Sequence, residues 1–213
     1  MHLDSSQDFR ALGEMLGKAV RATRNIHVQK AAIDRVVSLL GTERAERVLA
    51  TALEAGKICF PSGIIIGLEW CKQRLKHIPD DEKAAHDLGL FKAVCLSKLS
   101  KGSVLTHEQI EQLLIHPTSF NKKQQAEYYG GLFDGAIDKL ARARFWIAFQ
   151  QTWLQIEPDN ESTAKQLKEA QAKFNSIQAR IVRSTTRGLF KAFFEKAERI
   201  DATIKSTSPD VPH

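Results

Sequence analysis

The chain has 213 residues, of which 43% are apolar and 26% charged, and its formal net charge is +6 at pH 7. This near-average composition excludes a disordered chain, and a chain of this length buries roughly 70% of its unfolded surface without needing disulfides. The opening "MHLDSSQDFR" lacks the basic start and apolar block of a secretory signal, and no apolar run reaches the ~20 residues of a membrane span. Three cysteines cannot all pair within one chain, which favours a reducing compartment. We therefore expect a cytoplasmic protein without a membrane partner.

Helical periodicity dominates from the N-terminus onward. The stretch "IDRVVSLLG" predicts a helix that ends at Gly41, and "TERAERVLATALEAG" predicts a second helix from Thr42 to Gly56. The pair resembles a helix-turn-helix only in outline, because Arg47 falls where that motif buries an apolar residue. We interpret it as a plain αα-hairpin.

The segment "GKICFPSGIIIGLEWCKQRLKH" is the densest apolar run of the chain. It lacks the lysine-hydroxyl pair and the glycine spacing of a phosphate loop, and it lacks the three spaced glycines of a dinucleotide fold. A helix starting at Pro61 or Ser62 would place Ile64, Ile65 and Leu68 in the core. A buried strand over residues 58–68 is the alternative, since three β-branched residues follow one another.

Further helices follow Pro79. One opens with acids and stops at Gly102, and the next begins at Thr106 with Gln109 at the capping-box spacing. A helix near Ser119–Tyr129 is expected to break or kink at Gly130 and Gly131, and a long helix then runs to about Ile156.

The last predicted helix runs from about Glu161 to Ile204 and would be roughly 60 Å long, so we expect it to bend or to project. Its apolar side shifts around the helix after "STTRG", which points to an interruption near Arg187–Gly188. We predict an all-α fold: a single helical-bundle domain of about seven to eight helices with a long C-terminal helix. The boundaries are a core domain over 1–158, the C-terminal helix over 159–205 and a disordered tail over 206–213.

Sequence patterns for chemistry are weak. Cys71, His77, His86 and Cys95 fall in one window, but the gaps of five, eight and eight residues between them are too long for the paired ligands of structural zinc. No nucleophile motif is present. We therefore predict no catalytic, metal-binding or cofactor-binding residue, with an enzyme lacking a recognisable motif as the third reading.

An aromatic stripe lies on the predicted helix ending near Ile156. Trp146, Phe149 and Trp153 recur at helical spacing, and a second apolar stripe runs along a neighbouring side. The second stripe comprises Ile137, Leu140, Ile147 and Leu154. Such a helix is either central to the core or shared with a partner, and tryptophan is enriched at interface hot spots. The three aromatics are our candidate partner-binding residues, and we expect one stripe to remain partly exposed.

A basic series lies on one side of the C-terminal helix. It comprises Lys173, Arg180, Arg183, Arg187 and Lys191. These residues fall within an arc of roughly 80°, and acids are absent from the sequence between Glu169 and Glu195. We expect this row to bind nucleic acid or an acidic partner, or to be only a solvated face. We expect no aromatic close to it, which would exclude base stacking.

The function predicted from these patterns is that of a non-enzymatic, all-helical interaction or regulatory protein. A protein is the favoured partner, reached through the aromatic helix face and the basic C-terminal helix. Phosphate-driven nucleic-acid binding is the alternative. A homodimer through the C-terminal helix is a further option.

Overall fold

The computed structural model describes residues 6–23, 25–54, 62–100, 102 and 104–207. Within these residues the protein consists of nine α-helices and no strand, which confirms the all-α prediction. The helices are α1 Ser6–Ala22, α2 Ile26–Leu40, α3 Thr42–Glu54, α4 Ser62–His77, α5 Glu82–Leu99, α6 His107–Leu114, α7 Lys122–Gly135, α8 Lys139–Ile156 and α9 Glu161–Thr207.

Six helices pack side by side in the order α1, α3, α4, α5, α7 and α8. Helix α2 leans on α3 and α4, and α6 bridges α5 and α8. The buried apolar residues form two clusters, one around Tyr128 and Phe145 and one around Ile33 and Leu49. Helix α4 lies between them, and its Trp70 packs against both. This helix therefore joins the two cores.

Several helix ends follow the sequence signals. Thr106 and Gln109 form the predicted capping box, in which the Gln109 amide donates to the Thr106 hydroxyl at 3.2 Å. Gly41 has a φ of 73° and separates α2 from α3, so the αα-hairpin is confirmed. Arg47 lies exposed on α3, 2.8 Å from Glu43. The predicted stop at Gly56 lies outside the described residues.

The apolar segment at the start of α4 is helical from Ser62, so the strand alternative is wrong for residues 62–68; residues 58–61 lie outside the described residues. Ile64 and Ile66 are both buried, one in each cluster. A Cβ atom at Gly67 would meet the Phe91 ring at 2.5 Å. Gly67 is therefore explained by close packing against Phe91 and not by a phosphate loop.

The glycine pair in α7 does not break the helix, so that prediction is wrong: α7 continues through Gly130 and Gly131 to Gly135. The reason lies in the neighbouring helix. A Cβ atom at Gly131 would overlap the backbone of α5, 2.8 Å from the carbonyl carbon of His86 and 2.9 Å from the amide nitrogen of Leu90. Glycine is needed here because two helix backbones touch, and its lower helix propensity is outweighed by that contact.

The same contact recurs along both helices. Cβ atoms added at Gly89 or Gly135 would also run into the backbone of the facing helix. Helices α5 and α7 therefore approach one another closely at three glycines. Tyr128 of α7 is completely buried between α5 and α6. Its hydroxyl donates to the Leu113 carbonyl at 2.7 Å.

Helix α9 runs from Glu161 to Thr207 without interruption, so the break predicted at Arg187–Gly188 is wrong. Nothing lies within 4 Å of a Cβ atom at Gly188, and one exposed glycine costs only about 1 kcal/mol relative to alanine. The chain divides after Gln171 into two compact units. We call the second unit distal α9; the structure describes its residues 172–207. Of the predicted disordered tail, 206 and 207 belong to α9 and 208–213 lie outside the described residues.

Candidate interaction surfaces

The aromatic row on α8 is formed by Trp146, Phe149 and Trp153, each partly buried. The Trp146 and Phe149 rings stack at 5.1 Å, and Phe149 meets Trp153 edge-on at 6.2 Å. Phe133 of α7 lies 4.9 Å from Trp146. The three predicted residues are thus brought together, and their rings cover one another while remaining partly exposed.

The second stripe of α8 is only partly as predicted. Ile147 is buried, whereas Leu140 and Leu154 are half-buried. Ile137 does not belong to the helix at all: α8 begins at Lys139, with Asp138 as its N-cap, and Ile137 is 52% exposed in the connection from α7. Helix α8 therefore buries one side and leaves its aromatic side partly open.

The basic row on distal α9 comprises Lys173, Arg180, Arg183, Arg187 and Lys191, and all five side chains are exposed. Lys191 lies 3.8 Å from Glu195 on the same helix. Among the described residues Lys173, Arg183 and Arg187 have no ion-pair partner. The row is thus a charged surface that the chain itself leaves largely unneutralised.

Phenylalanines lie within the basic row, so the expectation that no aromatic lies there is wrong. At 100° per residue Phe190 and Phe194 fall on either side of the Arg183 position, within about 20° of it. Their rings are 6.4 Å apart and nearly parallel, with an interplanar angle of 25°. Both are more than half exposed, at 58% and 59%. The helical projection that defines the basic row therefore also predicts that these two phenylalanines lie beside it.

A buried carboxylate on α3 organises the ends of α4 and α5. Glu46 accepts from the Trp70 indole at 3.0 Å and lies 3.6 Å from Arg74. Arg74 also donates to Asp81 at 2.7 Å, and Asp81 caps α5 through the Ala84 amide. Burial alone would raise the pKa of Asp81, but the Ala84 and Arg74 hydrogen bonds hold it below its ordinary value. Every polar group here has a structural partner.

His86 lies between two carboxylates, 3.6 Å from Asp87 on its own helix and 3.2 Å from Asp134 of α7. The interaction with Asp87, opposed by burial and aided by Asp134, raises the pKa of His86 above its ordinary value. The cluster links α5 to α7 beside Gly131 and holds no nucleophile.

The cysteines and histidines of the candidate zinc window are not brought together. Cys71 is buried in α4, where burial raises its thiol pKa, and burial also raises the pKa of the half-buried Cys95. His77 approaches Glu46 at 3.9 Å. In the part of the chain that the structure describes, no three His, Cys, Asp or Glu side chains form a group suited to a metal ion.

Comparisons with known proteins give no relative: no protein-family model, no curated protein and no solved structure matches this chain. None of the described helices is both long enough and apolar enough to cross a membrane.

Proposed function

We propose that this is a non-enzymatic interaction protein that binds an acidic protein partner through the basic row of distal α9. The observation that carries the proposal is that all five side chains of that row are exposed. A helix made only for solubility interleaves opposite charges at i, i+4, and this stretch has one sign from Lys173 to Lys191.

The chemistry of the row suits carboxylates. Three of its members are arginines, whose guanidinium groups bind carboxylates with two parallel hydrogen bonds. Distributed over roughly 27 Å of helix, they would also steer an acidic partner toward the surface. The aromatic row on α8 is a separate second contact in this proposal, because partly exposed tryptophans are common anchors in interfaces. The odd, sparse cysteine set favours a reducing compartment, the cytoplasm, as the place where the partner is met.

Nucleic-acid binding is the second candidate, favoured by Phe190 and Phe194. Exposed aromatic rings beside arginines allow bases to stack while the phosphates are neutralised. This arrangement favours single strands over duplexes, because paired bases do not offer their faces.

The two candidates are separated by titrating the full chain into two labelled probes of equal length, a polyglutamate peptide and a single-stranded oligonucleotide. Fluorescence anisotropy between 50 and 300 mM salt should give a log–log slope of roughly −3.5 for the single-stranded oligonucleotide if all five basic residues engage it. A preference of tenfold or more for the peptide supports the first candidate. A preference for the oligonucleotide that Phe190→Ala removes supports the second.

Charge reversal tests the surface itself. The triple variant Arg180→Glu, Arg183→Glu and Arg187→Glu should abolish binding of both probes. Its control reverses three exposed lysines elsewhere, which changes the net charge equally: Lys18→Glu, Lys30→Glu and Lys123→Glu. Equal loss in both triple variants, or no binding by the parent chain at low salt, would overturn the proposal.

A further inference from the structure

Two neighbouring ridges of side chains run along distal α9. On an α-helix, residues four positions apart form such a ridge, and successive ridges are separated by grooves. One ridge, here called the basic ridge, is formed by Arg183, Arg187 and Lys191. The next ridge, here called the aromatic ridge, is formed by Phe190 and Phe194. The groove between the two ridges therefore has one cationic wall and one apolar wall.

Both walls of this groove are open. Every side chain from residue 183 to residue 194 is exposed. The rings of Phe190 and Phe194 lie 6.4 Å apart, which is close to the roughly 6 Å that a helix rises over four residues. On the basic ridge only Lys191 lies near an acid of the described chain, at 3.8 Å from Glu195. Both walls are therefore available to a partner.

A helix fits this groove better than an extended peptide does. Successive side chains of a strand point to opposite faces, so a strand can direct only one line of residues into the groove. A helix carries neighbouring ridges on one face, so one ridge can enter the groove while the ridges beside it meet the two walls. The basic ridge calls for acids on one of these flanking ridges, and the phenylalanines call for apolar residues on the other.

We propose that the acidic partner presents an amphipathic α-helix to this groove, with carboxylates against the basic ridge and apolar side chains against the aromatic ridge. The inference rests on the proposed function and narrows its partner from any acidic protein to one class of helix. The carboxylates bind the guanidinium groups of Arg183 and Arg187 through paired hydrogen bonds. The apolar side of the partner helix packs on the phenylalanines, as in other helix-in-groove contacts. Phe193 takes no part, because it lies on the following ridge, away from the basic ridge.

Two labelled helical peptides of the same composition test the proposal beside the polyglutamate and oligonucleotide probes. The first carries glutamates along one side of its helix and leucines along the neighbouring side, and the second has the same residues scrambled around the helix. In fluorescence anisotropy, the full chain should bind the first peptide at least tenfold more tightly than the second. Equal affinity for the two peptides, or tighter binding of the oligonucleotide, would overturn the inference. The proposed function would survive equal affinity as long as polyglutamate is bound, and would fail if no acidic probe binds.

Two pairs of substitutions locate the apolar wall. Phe190→Ala with Phe194→Ala should remove the preference for the first peptide and leave polyglutamate binding unchanged. Leu189→Ala with Phe193→Ala is the matched control, because these two residues are also four positions apart and are 68% and 65% exposed, but they form the following ridge. Equal loss of the preference in the two double variants would overturn the assignment of the groove.

Charge exchange locates the cationic wall. Arg183→Glu with Arg187→Glu and Lys191→Glu should weaken binding of the glutamate–leucine peptide at least tenfold. The same triple variant should bind a peptide in which lysines replace the glutamates at the same positions. Failure to bind that peptide would overturn the contact between the basic ridge and the acidic side of the partner helix.

Discussion

Replacing Gly131 with alanine should strongly destabilise the bundle, although alanine is the better helix former. The added Cβ atom would lie 2.8 Å from the carbonyl carbon of His86 and closer still to its oxygen. Ordinary contacts of this kind are about 3.4 Å or longer, and the obstructing atoms are helix backbone. Neither side can yield by a rotamer change, so α5 and α7 must separate.

The expected magnitude combines two opposing effects. Overpacking a well-packed site costs about 1–3 kcal/mol and sometimes more, and a clash with backbone falls at the upper end. Alanine returns up to about 1 kcal/mol through helix propensity. We therefore expect a net loss of about 2–4 kcal/mol in the free energy of unfolding, or a fall in Tm of roughly 5–15 °C for a chain of this size.

Gly130→Ala is the matched control, because it lies next to Gly131 in the same helix and gains the same propensity. Its Cβ atom would meet the edge of the Phe149 ring at 3.3 Å, and a partly exposed ring can shift; the His86 ring, at 3.6 Å, is at an ordinary contact distance. Urea unfolding followed by circular dichroism at 222 nm compares the two variants. If Gly131→Ala and Gly130→Ala have equal midpoints, the close backbone contact between α5 and α7 is refuted.

Three other predictions concern polar and aromatic contacts. Glu46→Ala should lower the free energy of unfolding by about 1–3 kcal/mol, because it leaves the Trp70 indole N–H without its buried acceptor. Glu46→Gln keeps an acceptor and should cost less than half as much. Equal losses for the two variants, in urea unfolding followed by tryptophan fluorescence, would contradict this. The pKa of His86 is raised above its ordinary 6.5, so its pairing with the carboxylates stabilises the fold below that pH and is lost as the pH rises through the folded-state pKa. Asp134→Asn should lower the His86 pKa in an NMR titration, and an unchanged pKa would exclude this contact as a cause. Trp146→Ala removes two aromatic ring contacts, whereas Trp153→Ala removes one. Each contact contributes about 0.5–1.5 kcal/mol to the free energy of unfolding, so Trp146→Ala should lower the Tm more. The reverse order of the two Tm values in calorimetry would contradict the described packing.

Local signals predicted much of this fold from the sequence. The capping box at Thr106 depends on residues three positions apart, and Gly41 ends α2 because its own φ is positive. Each of these signals is complete within a few residues. The all-α class follows for the same reason, since helical periodicity is a property of short windows.

The errors arose where a distant part of the chain decides the outcome. Gly130 and Gly131 suggest a break when read alone, but the facing backbone of α5, about 45 residues earlier, requires the small residue at Gly131. Helix α8 begins only after Asp138, because the side chain of that aspartate caps its N-terminus. The apolar stripe that includes Ile137 had suggested an earlier start. For the candidate surfaces, helical projection predicts the exposed basic row on α9, and the same projection places Phe190 and Phe194 beside it.

The position of α4 between the two apolar clusters has a consequence for cooperativity. Ile64 belongs to one cluster and Ile66 to the other, and Trp70 packs against both. Detaching α4 would expose both clusters at once, so neither can persist alone as a separate folding unit. Hydrogen exchange across α1 to α8 should then report a single global opening, with the slowest amides of both clusters exchanging at the same rate.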